Sequence, residues 1–186
     1  MPTAYSAKAQ PYLDAIAEGV FQSQKVRDWL IAGTPVESTY SGARILIDEQ
    51  RNVRWSTKPT KQPFWANYWC GRESNCTCRP INTKRAESDA IFFLENQATS
   101  RILAIHIEFK LVSELFAPGQ PEAYPMRAAC FAKTHESRPT LNAHHDWTTV
   151  LFCGPEKLTD PRLASFQRVI THGQAAQMLA GYPRLA

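Results

Sequence analysis

A single α/β (or α+β) domain, with helices flanking a central mixed sheet, is what the sequence predicts, and three stretches predict it. Residues 10–32, "QPYLDAIAEGVFQSQKVRDWLIA", repeat Tyr12, Leu13, Ile16, Val20, Val26, Trp29 and Leu30 at three- and four-residue steps, which is helical spacing. Residues 87–110, "ESDAIFFLENQATSRILAIHIEFK", hold two apolar runs around a polar connection, the pattern of paired strands. "PGQPEAYPMRAACFAK" then reads as a helix and "WTTVLFC" as a strand rich in β-branched and aromatic residues.

At 186 residues the chain fits one domain over 1–186, long enough to bury a core. "ARILIDEQRNVRWST" reads as two strands around a polar turn at Glu49–Asn52. Residues 56–86 form an irregular, Cys- and aromatic-rich insertion containing three prolines and "FWANYWC". Pro125 predicts a kink or break in its helix. "DPRLASFQRVITHGQAAQMLAGYP" reads as a last helix or helix pair broken near Gly173.

Composition narrows the function classes. No run of about 18 apolar residues exists, so no membrane span is expected. The N-terminus lacks a basic stretch followed by an apolar one, and the five cysteines are an odd number. Both point to a reducing, cytoplasmic setting. A net charge of +4 permits a polyanionic partner without demanding one.

Three charges at the ends of apolar runs carry the chemistry. Alternation along the second strand puts Ile105, Ile107 and Phe109 on one face and His106, Glu108 and Lys110 on the other. An antiparallel hairpin returns Asp89 to Glu108. Two carboxylates there can share a hard divalent cation such as Mg2+ or Mn2+, and a lysine beside them can orient a metal-bound water or stabilise phosphate charge. The bland reading is a solvated hairpin end with a surface Glu–Lys pair.

With its acid, Glu-x-Lys and order of elements, this constellation resembles the PD-(D/E)xK nuclease superfamily, of restriction-endonuclease-like fold, with Ser88 where proline often stands. Gln120 and Tyr124 in "GQPEAYP" resemble the Gln-x-x-x-Tyr motif of its RecB-like, lambda-exonuclease-like branch; four apart, they share a helix face. The resemblance implies a Mg2+-dependent nuclease cleaving phosphodiester bonds, with DNA the expected nucleic-acid partner. It implies Asp89, Glu108 and the Phe109 carbonyl as metal ligands, Lys110 as the catalytic lysine, and Gln120 and Tyr124 as bracing or substrate-backbone contacts. The branch often adds an acid on the first helix; Glu18 is the candidate and Asp14 its rival, against a solvated helix-face charge for either. The alternative is a catalytically inactive nuclease fold acting as a nucleic-acid-binding or protein-interaction module.

"CGRESNCTC" supplies Cys70, Cys76 and Cys78, three thiols that could take structural Zn2+ with Cys130 or a histidine as fourth ligand. The Cys-x-Cys spacing departs from the usual Cys-x2-Cys knuckle, so plain buried or loop thiols are the expectation. His144 and His145 read as a polar turn before a strand, with metal binding the alternative. The "FWANYW" rings are expected in the core rather than stacking on nucleic acid with Arg72, Arg79, Lys84 and Arg85.

Overall fold

A computed structural model describes residues 8–56, 62–70, 75–78 and 86–184. Six strands form one mixed sheet: β1 (Arg44–Ile45), β2 (Ala66–Cys70), β3 (Ala86–Asn96), β4 (Arg101–Phe109), β5 (Asp146–Cys153) and β6 (Arg168–Thr171). The order is β1-β3-β4-β5-β6, and β2 shares the edge of β3 with β1. β1 pairs near Leu94 and Glu95, and β2 pairs over Ala86–Ala90, so the two occupy opposite ends of that edge. β3 and β4 are antiparallel, with Ala90 opposite Ile107; β4, β5 and β6 run parallel. A parallel return needs a crossover, and α5 (Gln120–Thr134) supplies it between β4 and β5.

The sheet is buried on both faces. On one, α1 (Gln10–Gln22) and α2 (Gln24–Ile31) bring Leu13, Ile16, Val20 and Leu30 against Phe92, Leu94, Ile105, Ile107 and Phe109. On the other, α5 sets Cys130 and Phe131 against Ile91, Phe93 and Ala104, and Tyr124 among Leu151, Cys153 and Phe166. The central strands can therefore be apolar almost throughout, as in a sheet covered on both sides.

Several elements differ from the sequence reading. The first helix is two, because Ser23 is extended and its hydroxyl accepts the Val26 N–H at 3.3 Å, capping α2. The expected strand pair after Ala43 is a two-residue strand followed by α4 (Ile47–Arg54). Asp48 and Glu49 lie in the first turn of α4 and Arg51 and Arg54 in its last, which suits the helix dipole at both ends. α5 runs through Pro125 without a break, opening from Gly119 at φ 71°. The tail is not a helix pair. A 3-10 turn (Pro161–Ser165) leads into β6, where Val169, Ile170 and Thr171 favour a strand, and α6 (His172–Met178) follows. Thr171 caps α6 reciprocally with Gln174, so Gly173 lies in its first turn rather than at a break. α3 (Glu37–Tyr40) is a single turn. No helix among the described residues is long and apolar enough to cross a membrane.

Candidate functional site

The β3–β4 hairpin brings Asp89 to the end of β4. Alternation in β3 slips on the way. Ile91 packs with Phe131 of α5, and Ser88, three residues earlier, also reaches that side, its hydroxyl 3.2 Å from His106 Nδ1. An odd step between two residues on one face means that strict alternation is interrupted, although the register with β2 runs on without an extra residue. The slip falls at Asp89 and Ala90, and Asp89 Oδ2 accepts the Phe109 N–H at 2.8 Å.

Glu108 and Lys110 project toward α5. Gln120, the first residue of α5, donates from Nε2 to Glu108 Oε1 at 2.7 Å, and Lys110 Nζ is 3.2 Å from the same oxygen. Lys110 Nζ also donates to Glu114 at 3.1 Å. The structure thus brings together Asp89, Glu108, Lys110, the Phe109 backbone and Gln120. Tyr124 reaches the same strand end from one turn further along α5, its hydroxyl donating to the Glu87 carbonyl at 3.2 Å.

Burial sets the charges. It pushes Glu108 well above the usual carboxylate range, and Asp89 nearby pushes it further against the pull of Lys110 and Arg127. Asp89 is raised as well, by burial, although the Phe109 N–H and Lys110 oppose it. Burial also lifts Glu87 to about 7, helped by Asp89. For Lys110 burial works downward, but Glu108 and Glu114 outweigh it and hold the amine above its ordinary range. Lys110 is therefore an ammonium, suited to orienting a water or stabilising anionic oxygen and unsuited to removing a proton.

Glu18 is not brought to this cluster. It is exposed on α1, which packs on the opposite face of the sheet, and it accepts a hydrogen bond from Gln22 at 3.2 Å. Asp14 is also exposed on α1. His106 is fully buried under Phe131 and held neutral by burial, so it supports the sheet. His144 is buried with Nδ1 2.9 Å from the Asn142 carbonyl, and His145 Nδ1 accepts the Ile102 N–H at 3.0 Å. Phe64, Trp65 and Tyr68 are core residues, while Trp69 is partly exposed. Arg72, Arg79, Lys84 and Arg85 lie outside the described residues.

Three supporting residues escaped the sequence reading. Arg127 is buried, stacks over Tyr124 at 4.3 Å and donates to the Glu87 carbonyl. It follows Tyr124 by three positions on one helix face, a signal that could have found it. Glu114 shares Lys110, four residues before it. His172, from the start of α6, has Nε2 2.9 Å from the Lys110 carbonyl and Nδ1 2.7 Å from the Tyr182 hydroxyl, fixing the backbone at the lysine. No local pattern announces His172.

A second cluster lies behind Arg127. Cys70 at the end of β2, Cys76 and Cys78 from the piece at 75–78, and Cys130 in α5 place their sulfurs all within 4.8 Å of one another. This corrects the expectation of separate buried or loop thiols: the four could hold one metal ion. The Cys-x-Cys spacing argued against a metal, yet Cys130, the candidate fourth ligand named with a histidine, arrives from α5 to complete the four. Hydrogen bonding to Cys78 and burial hold Cys70 protonated. Burial also opposes ionisation of Cys130, yet the Thr77 N–H and neighbouring thiols bring it down to about 6.

Compared with known proteins, the chain matches no protein-family model, no curated protein and no solved structure.

Proposed function

We propose that the protein is a metal-dependent nuclease of the PD-(D/E)xK superfamily, RecB-like branch, hydrolysing phosphodiester bonds, with DNA the favoured substrate. One observation carries this reading. Two motifs from separate elements meet on one oxygen, where Glu108 receives Gln120 at 2.7 Å and Lys110 at 3.2 Å beside Asp89. A solvated surface pair would not be 2–6% exposed, nor would it need an amide from the next helix. The mixed sheet flanked by helices agrees with a restriction-endonuclease-like core.

The residues suit a hard divalent cation. Asp89 and Glu108 are two carboxylates crowded at one strand end, both pushed upward by burial and unbalanced by lysine and arginine alone. A cation that takes oxygen ligands would relieve that crowding. Asp89, Glu108 and the Phe109 carbonyl would hold Mg2+ or Mn2+. The ion would supply a Lewis acid that stabilises charge on the phosphate oxygens and makes a bound water more acidic than bulk water. Lys110 keeps its proton, orients the attacking water and stabilises charge on the phosphate oxygens. Gln120 fixes the Glu108 carboxylate, and Tyr124 with Arg127 braces β3 through the Glu87 carbonyl. The four thiols, being soft ligands, select a different ion such as Zn2+.

The test is incubation of the full chain with labelled single- and double-stranded DNA and RNA in Mg2+, Mn2+ or chelator. Cleavage is expected with metal alone, and Asp89→Asn, Glu108→Gln and Lys110→Met should each lower its rate by about a hundredfold or more. Undiminished cleavage by all three variants would overturn the reading. So would DNA binding by the wild type with neither cleavage nor metal dependence, the behaviour of an inactive binding module.

A further inference from the structure

We infer that Cys70, Cys76, Cys78 and Cys130 form a structural zinc site that ties the end of β2 and the piece at 75–78 to α5, making it a positioning device for the helix that carries Gln120, Tyr124 and Arg127. That the ion is zinc, and that it clamps, stands on the thiols alone; the consequence for cleavage rests on the nuclease reading above.

The separations favour one ion over a larger cluster: two match a tetrahedral centre and three are tighter. A tetrahedral centre with bonds of about 2.3 Å spaces its sulfurs at about 3.8 Å. The observed separations are 3.7 Å for Cys70–Cys130, 3.8 Å for Cys76–Cys130, 3.4 Å for Cys70–Cys76, 3.2 Å for Cys76–Cys78 and 3.0 Å for Cys70–Cys78. A multi-iron cluster, with irons and sulfides between its ligands, would hold the sulfurs further apart. Four thiolates and no open position make the closed ligand set of a structural zinc site rather than a catalytic one.

The surroundings suit a centre of net negative charge, since four thiolates around one divalent ion leave two charges over. The Thr77 N–H points at Cys130 Sγ from 3.3 Å, and Arg138 Nη2 stands 3.2 Å from Cys70 Sγ and 3.9 Å from Cys130 Sγ. Arg138 also stacks over Phe131 of α5 at 4.6 Å and donates to the Thr134 hydroxyl at 2.8 Å. Such donors around the ligands orient thiolates and tune the metal. Ordinary packing of small apolar thiols would not call for a guanidinium.

The cluster's place in the fold gives the ion its task. Cys130 and Arg127 lie on the same helix, three apart, and the Arg127 charge is felt by Cys70 and Cys78 on one side and by Glu108 and Asp89 on the other. α5 therefore has two anchors: the thiols at its middle and the carboxylate end of the hairpin at its start.

The experiment is elemental analysis of the purified full chain grown with zinc and iron both present. One zinc per chain is expected, with Cys76→Ser and Cys130→Ser losing it and Cys153→Ser, whose thiol lies outside the cluster, keeping it. Removing the zinc should speed amide hydrogen exchange along 120–134 by at least tenfold, and restoring zinc should reverse that. A ligand variant can fail to fold, so Co2+ exchanged into the wild-type chain gives a second reading: intense thiolate-to-cobalt absorption with tetrahedral visible bands. Iron in place of zinc, no bound metal together with no cobalt absorption, or exchange in α5 indifferent to zinc would each overturn the proposal. None of these measurements uses a substrate, so failure of the nuclease reading would leave them standing, and slower cleavage after zinc removal would add the link between the two sites.

Discussion

His144 is 2% exposed, and its Nε2 has no partner among the described residues, while Nδ1 faces the Asn142 carbonyl. Burial, aided by His135 and His145, holds this imidazole down at about 4 against the pull of the carbonyl. The unfolded chain therefore takes up a proton near pH 6.5 that the folded chain refuses. Stability from His144 is whole above that pH and falls away as the pH drops toward about 4. The full shift corresponds to on the order of 3 kcal/mol. His144→Phe should flatten the acid limb of a urea-stability profile between pH about 7 and about 5; an unchanged slope would show that other groups set it. At this scale the sequence was most legible where chemistry is local. Glu108 and Lys110 share a face by strand alternation, and Gln120 and Tyr124 by helical spacing. Asp89 needed the hairpin return, and Cys130 could be named as a fourth thiol but only the fold chose it over a histidine. Glu18 shows the opposite limit: a helix-face acid carries no mark of which side of a sheet its helix will cover.

α4 shows how an element hides in a sequence. "IDEQRNVR" has almost no apolar periodicity, and its one fully buried side chain is Gln50. What binds this helix to the sheet is polar: Gln50 Nε2 donates to the Ile91 carbonyl at 2.7 Å and to the Tyr68 hydroxyl at 3.0 Å, and Tyr68 donates on to the Phe64 carbonyl at 3.0 Å. Hydrophobic pattern reading is blind to such an anchor, so the alternation at Ala43–Ile47 won and the segment read as strands. β6 was missed for the reverse reason, since its four residues at the sheet edge are too few for a period to show against the helical spacing around them. The long elements, α1, β3, β4, α5 and β5, were legible because each buries a full face. Replacing Gln50 by Leu should cost about 1–3 kcal/mol by leaving the Ile91 carbonyl buried and unpaired. Gln50→Glu should cost more, because it sets a carboxylate against that carbonyl. Urea denaturation checks both, and a Leu variant as stable as the wild type would show that α4 is held by its flanks instead.

Across the whole molecule, the sheet is sealed on both faces, yet one end of it buries Glu108 and Lys110 and half-buries Asp89 and Glu87 beside them. Burial raises all three acids, and the Asp89 charge pushes Glu87 and Glu108 further, so the metal-free native chain binds more protons than the unfolded one. Their contribution to stability is therefore complete below the unfolded carboxylate range near pH 4.5 and declines as the pH rises through their raised values, which for Glu87 means through about 7. Lys110 and Arg127 offset part of this repulsion and do not reverse it, since the net direction for Glu108 remains upward. If the cluster is the proposed metal site, a site that destabilises its own fold is what a stability–activity trade-off looks like at the level of charge. Glu108→Gln should then do two opposite things. It removes the most strongly raised carboxylate, keeps the size of the side chain and its hydrogen-bonding capacity toward Gln120, and so should raise the thermal midpoint of the chelated protein near neutral pH. It should also abolish the stabilisation that the proposed Mg2+ or Mn2+ site would give the wild type, about 2.7 kcal/mol at a hundred times the dissociation constant. Thermal melts of both chains with and without divalent ion read the two effects together. A Gln variant that is less stable than the wild type in chelator, or that still gains stability from Mn2+, would mean that Glu108 is a structural ion-pair partner of Lys110 and not a ligand held in readiness.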